Sequence, residues 1–414
     1  MGKALLVGGR TNTNSANGNE ANFFGFSTNT STESLTQVSC TEAATFSNFR
    51  TNIVGGNSGT ATFRFRDAGA NGNQTFQITG TGANEDAVNT DVLSAGDLFN
   101  FAYTDTGTNS ACAWIAENVQ FSSGHGNFHG AGSFGGIIYD VQSETRFIPL
   151  MGALDNDGST SEDNVEWKVR GYDSFEALQV RVTANARGNN SIFKNRINGA
   201  DGSGSITFAT LETGLKTVTG LGDAITDGQT INASITLDTG LEDLTVSFIV
   251  GTFKSSTNKS DTFGINNAGL VRAASATANY VPIGSHWNSL TSVTETQARL
   301  KPGFAAVVSN LRCYLSANTY DGTGASEGTL KLYQNGVAVI TTAITASGGA
   351  GWYENATDTI TIDADDELSF EFDEGNAGSI TIRSAGITFA PTGGAPAVAR
   401  MDDGWLRAIR RRRG

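Results

Sequence analysis

The feature that most constrains this chain of 414 residues is that it repeats itself with a period near 130 residues. Leu5-Leu6-Val7, Ile137-Ile138-Tyr139 and Leu270-Val271 line up at offsets of 132 and 133. Some twenty residues after the first comes the opener Phe24-Gly25-Phe26-Ser27, matched by Phe147-Ile148-Pro149-Leu150 and Tyr280-Val281-Pro282-Ile283. Glu33, Glu162 and Glu295 then recur in Ser/Thr-rich settings at offsets of 129 and 133, and Phe49, Leu178 and Leu311 follow at the same offsets. Turns at Gly96-Asp97, Asp227-Gly228 and Asp365-Asp366 lead into alternating stretches, and each copy closes on Phe121, Phe253 or Phe389. Six landmarks in one order predict three tandem copies of a module large enough to carry its own core, unlike the short units of solenoids.

Composition sets the class of that module. With 51 glycines, 5 prolines and 16% charged residues, the chain suits short strands joined by many turns. Alternation such as Leu178-Gln179-Val180-Arg181-Val182 puts every second side chain inward. Each copy holds about eight such strands with frequent turn signals, which predicts an all-β protein of three antiparallel sandwiches. Connections such as residues 8–22 and 183–204 suit Greek-key crossovers, favouring a jelly roll over an immunoglobulin-like sandwich. The expected units are residues 1–123, residues 124–256 opening on a linker at 124–136, and residues 257–393 with a linker at 254–266. A basic arm over 394–414 follows.

Several function classes find little support. No apolar run approaches the ~20 residues of a membrane span, so no membrane partner is expected. The stretch Ala4-Leu5-Leu6-Val7 is too short for a signal h-region, and Leu6 stands where a myristoylation motif needs Ser or Thr, so synthesis in a host cytoplasm is expected. Cys40, Cys112 and Cys313 read as small buried hydrophobes and His125 and His129 as linker residues, with His286 the third histidine. Asp155, Asp157, Ser159, Asp163 and Glu166 fall in a calcium-loop register, but Thr160 takes the place of the turn glycine, so calcium is a weak candidate and no other cofactor is expected. Asp363, Asp365, Asp366 and Glu367 form a second acidic turn. No phosphate loop, nucleophile elbow or dinucleotide fingerprint is present, and no catalytic residue is assigned. Three similar modules suit a scaffold better than one catalytic constellation.

From Arg400 onward six arginines face two aspartates, Asp402 and Asp403, a net of +4; against −14 for the chain, that leaves −18 for the body. Trp405, Leu406 and Ile409 share a face at helical spacing, among Arg407, Arg410, Arg411, Arg412 and Arg413. So acidic a body repels nucleic acid, and the arm is expected to clasp an acidic face of a neighbouring copy.

The third copy carries a resemblance. Tyr280-Val281-Pro282-Ile283-Gly284, a Ser309-Asn310-Leu311 turn into a strand, Leu330-Lys331-Leu332-Tyr333-Gln334-Asn335-Gly336 and Trp352-Tyr353-Glu354-Asn355 together resemble jelly-roll modules of tailed-bacteriophage virion proteins. The first two copies are read as lacking the Asn-Gly hairpin and the aromatic pair. The resemblance implies a non-enzymatic head decoration, fibre, or tail or neck component, with three jelly rolls in a row, oligomeric, and partnered by copies of itself and other virion proteins. The alternative it carries is a fibre that binds a host receptor or surface glycan through aromatics such as Trp287, Trp352 or Tyr353.

Overall fold

The computed structural model describes residues 2–8, 11–12, 19–21, 23–24, 32–107, 111–154, 158–240, 242–273, 279–284, 294–320, 328–345, 348–373 and 378–392. In module 1 the strands Ala4–Gly8, Ala111–Phe121, Ala44–Gly55 and Gly82–Leu93 lie side by side in that order, facing a second sheet of Asn19–Ala21, Leu98–Asp105, Thr60–Asp67 and Ala70–Thr79. Numbered along the chain, the sheets run first-eighth-third-sixth and second-seventh-fourth-fifth, which is the jelly roll. Module 2 repeats it with His125–Tyr139, Leu244–Ser255, Ser174–Asn185 and Gly214–Ala224 over Thr145–Ile148, Thr230–Thr236, Ser191–Ile197 and Ala200–Phe208. Module 3 does so with Ser260–Ala273, Ser379–Pro391, Ala306–Asn318 and Gly351–Ile362 over Asn279–Val281, Leu368–Asp373, Gly328–Gln334 and Val337–Ile344.

Apolar residues on alternate strand positions meet between the sheets. In module 1 the core is mostly phenylalanine: Phe46, Phe49, Phe63, Phe65, Phe99 and Phe101 are all fully buried, and the Phe46 and Phe99 ring centroids lie 4.8 Å apart. Between the fourth and fifth strands each module makes the same two-residue turn with both residues at positive φ: Ala68-Gly69 (46° and 86°), Asn198-Gly199 (51° and 78°) and Asn335-Gly336 (51° and 83°). The second copy therefore does have the Asn-Gly hairpin, and the first has Ala in place of Asn. The repeated glutamates also coincide: Glu33, Glu162 and Glu295 each open the short helical turn before the third strand.

Four expectations need correction. Residues 124–136 and 254–266 are not linkers but the starts of His125–Tyr139 and Ser260–Ala273 and the end of Leu244–Ser255, so modules join through short turns at 122–124 and 256–259. Glycine-rich sequence reads as a linker, yet here small residues let strands pack closely: a Cβ on Gly126 would lie 2.4 Å from the Phe253 carbonyl oxygen. The run Leu5-Leu6-Val7 pairs with Asn118, Glu117 and Ala116, early in its strand, whereas Ile137-Ile138-Tyr139 pairs with Val246, Thr245 and Leu244 at the far end. Those apolar runs are alike without being equivalent. Residues 183–204 are not a crossover but hold the strand Ser191–Ile197, and Ser309-Asn310-Leu311 is a bulge inside a 13-residue strand, Asn310 taking φ 54°.

Candidate functional site, the contacts that close the ring

Several of the chain's buried polar groups lie where modules meet, while others, such as Arg187, paired with Asp238 in module 2, are internal to one module. In the third strand of module 1, Arg50 donates through Nε to the carbonyl of Lys301 (2.7 Å) and through a terminal nitrogen to that of Pro302 (2.9 Å), both in module 3. Arg312, in the third strand of module 3, donates through Nε to the carbonyl of Lys168 in module 2 (2.9 Å). In the third strand of module 2, Gln179 accepts from the Ser39 N–H (3.0 Å) and donates to the Ser39 carbonyl (2.8 Å) in module 1. Each module thus reaches the segment just before the third strand of another: 1 to 3, 3 to 2, 2 to 1. Head-to-tail contacts of this kind close into a ring when the rotation between neighbours returns to its start. The modules do not stand in a row, because the first and third are in direct contact.

The first strands meet at the centre of that ring. Gly2 donates to Asn258 Oδ1 (3.0 Å), His125 Nδ1 donates to the Gly2 carbonyl (2.9 Å), and Asn127 donates to the Leu5 carbonyl (2.9 Å). Apolar cores are shared in the same cyclic sense. Leu5 and Trp114 of module 1 belong to the core of module 3; Phe128, Phe248 and Val250 of module 2 to that of module 1; and Phe263 and Trp352 of module 3 to that of module 2.

At the contact of modules 3 and 2 the charges are paired directly. Arg312 forms an ion pair at 2.9 Å with Asp261, both with 0% side-chain exposure. Asp261 also accepts from Thr388 (2.6 Å) and from the N–H groups of Arg170 (2.8 Å) and Gly171 (3.0 Å), tying modules 3 and 2 together. Arg170 grips Glu354 with two bonds of 2.7 Å, and Lys168 adds a third of 3.1 Å. Burial works against ionisation of Glu354, but these bonds win and hold it down at about 2. At the module 1 end, burial pushes Arg50 down to about 10 and lifts the fully buried Glu117 well above the carboxylate range, the attraction between the two opposing both shifts. Gln179 carries no charge and needs no counter-ion.

The individual candidates fall as follows. His125 and His129 are strand residues, 5% and 3% exposed; burial drives His129 down to about 3, and its Nε2 lies 2.7 Å from the Tyr172 hydroxyl. Cys40, Cys112 and Cys313 are free and buried, and burial raises all three thiols to about 12. Of the calcium register, Asp155 and Asp157 lie outside the described residues; Ser159 pairs with the Phe147 backbone, Asp163 lies within the short helical turn whose Glu162 is bound to Arg196, and Glu166 follows that turn. Among the described residues no three His, Cys, Asp or Glu groups come together as metal ligands, and no helix is long and apolar enough to cross a membrane. Tyr353 donates to the Gly349 carbonyl (2.7 Å), and Trp352 packs on Tyr314 and module 2, so neither forms an open aromatic platform. Trp287, His286 and the arm residues Trp405, Leu406, Arg407, Ile409, Arg410, Arg411, Arg412 and Arg413 lie outside the described residues. The residues that matter most here, Arg50, Arg312, Gln179 and Asp261, were not singled out from sequence. An arginine recurring within an apolar strand two residues after Asn48 and Asn310 was the available signal.

No protein-family model and no curated protein matches the chain. Among solved structures it aligns with one from the Sulfolobus turreted icosahedral virus at 11% identity, covering 84% of this chain and 80% of that one, with a TM-score of 0.17. A second, described as a triple jelly roll fold and turret assembly in an archaeal virus, aligns at 10% identity over 86% and 81% of the two chains, with a TM-score of 0.16. Scores this low assign no role to the chain.

Proposed function

We propose that this chain is a non-enzymatic structural protein of a virus particle, and more finely a component of a tailed-bacteriophage virion such as a head decoration or tail appendage. The observation that carries the reading is where the buried charge goes. Arg50, Arg312 and Asp261 are spent on holding modules to one another, and Glu117 lies fully buried within module 1, interacting with Arg50. A ring of three jelly rolls locked by desolvated contacts is a stiff body that presents three related outer faces, which suits mechanical assembly with copies of itself and other virion proteins. The receptor- or glycan-binding alternative has no open aromatic face to favour it among the described residues. Quantitative mass spectrometry of particles purified from a producing culture tests the reading. The chain is expected in fixed stoichiometry with the major shell protein through successive gradients; its loss to the soluble fraction would overturn the assignment.

A further inference from the structure

The first strands of the three modules meet on the axis of the ring, and their registers are equivalent. Leu6, His129 and Thr262 pair with Glu117, Gly251 and Ile387, each one place beyond the residue that pairs with Arg50, Gln179 or Arg312. Phe24, Met151 and Gly284 are equivalent too, each three residues past the end of a second strand. These six residues help to line a cavity of about 10 Å³ to which every module contributes. Gly284 keeps it open on the module 3 side, because a Cβ there would lie 2.5 Å from the Thr262 methyl carbon.

Two polar side chains at this point are short of partners. Thr262 is 1% exposed, and its hydroxyl makes no hydrogen bond among the described residues. His129, also buried, is bonded through one ring nitrogen only, Nε2, which lies 2.7 Å from the Tyr172 hydroxyl. That hydroxyl is 3.4 Å from the Asp261 carbonyl as well, and its one proton goes to the shorter contact. Burial keeps the phenol protonated well above its ordinary range and keeps the imidazole neutral. Nε2 is therefore the acceptor, and Nδ1 carries the ring proton. A buried N–H and a buried O–H left unbonded both destabilise a core, so each calls for a partner in the cavity they share.

We propose that a single water molecule is a built-in part of the ring, seated on its axis in this cavity, accepting from His129 Nδ1–H and bonded to the Thr262 hydroxyl. The cavity has the volume of about one water, and a buried water needs two or more polar partners. The N–H repels a cation, and no lysine or arginine lines the cavity to hold an anion. Through this water modules 2 and 3 are bonded where their own side chains do not touch by hydrogen bond. It also accounts for two polar residues at a register where module 1 places Leu6. The site is independent of the virion reading and stands or falls without it.

Oxygen-17 relaxation dispersion on the full chain counts buried waters of long residence and tests the proposal. Thr262→Val is expected to lose one such water and Thr262→Ser to keep it, with folding checked by circular dichroism. In nitrogen-15 spectra of the unmutated chain the ring proton of His129 is expected on Nδ1. Crystals of that chain are expected to show density within about 3.2 Å of both Nδ1 and the Thr262 Oγ1. An unchanged water count in folded Thr262→Val, a proton on Nε2, or a dry cavity in the crystal would each overturn the proposal.

Discussion

Arg50 and Arg312 do the same work from different modules. Each donates Nε to the backbone carbonyl of a lysine in another module, Lys301 at 2.7 Å and Lys168 at 2.9 Å, and each folds a terminal nitrogen back onto the carbonyl of the positive-φ asparagine two residues earlier, Asn48 or Asn310. Such identity of detail across 262 positions shows that the contact, and not only the module, was copied.

Removing one member of the buried pair leaves the other charge stranded. Arg312→Ala strips Asp261 of its counter-ion, and the expected cost is about 3–5 kcal/mol in urea unfolding. Arg312→Met with Asp261→Asn removes both charges and is expected to cost less than Arg312→Ala alone.

Protonation of His129 sets an acid limit. The folded state keeps this imidazole neutral down to about pH 3, whereas in the unfolded chain it takes up a proton near its ordinary 6.5. Between those values the unfolded state binds more protons, so stability falls as the pH drops, by about 1.4 kcal/mol per unit for this group. Urea titrations from pH 7.5 to 4.5 are expected to show the slope reduced by about one proton in His129→Gln.

The turn comparison predicts a gain. Ala68 holds φ 46° at an exposed position where the other copies have Asn198 and Asn335. Asparagine tolerates that conformation and alanine is strained in it, so Ala68→Asn is expected to add about 1 kcal/mol, read by calorimetry.

Much of the fold is legible in sequence because strand alternation and turn chemistry are local. Phe49, Leu178 and Leu311 do mark the third strand of every module, and Phe253 and Phe389 hold matching places in the eighth, whereas Phe121 stands two residues further along its strand, opposite Ala44. What was missed was non-local. The glycines of 124–136 resemble a linker until the Phe253 backbone is seen against Gly126, and Leu5-Leu6-Val7 resembles Ile137-Ile138-Tyr139 in composition although the two runs hold different places in their pairings. The ring itself is written in residues that look unremarkable singly. Arg50 and Gln179 alternate with the core residues Phe49, Leu178 and Val180 and turn away from their own cores, and only the approach of a neighbouring module explains their burial.

The closed ring is tested most directly by the radius of gyration in solution. Small-angle X-ray scattering of the monomeric chain is expected to give about 22 Å, the value for a compact body of this length. A row of three separately compact modules would instead exceed about 30 Å, and that result would contradict the contact between modules 1 and 3 on which the account rests.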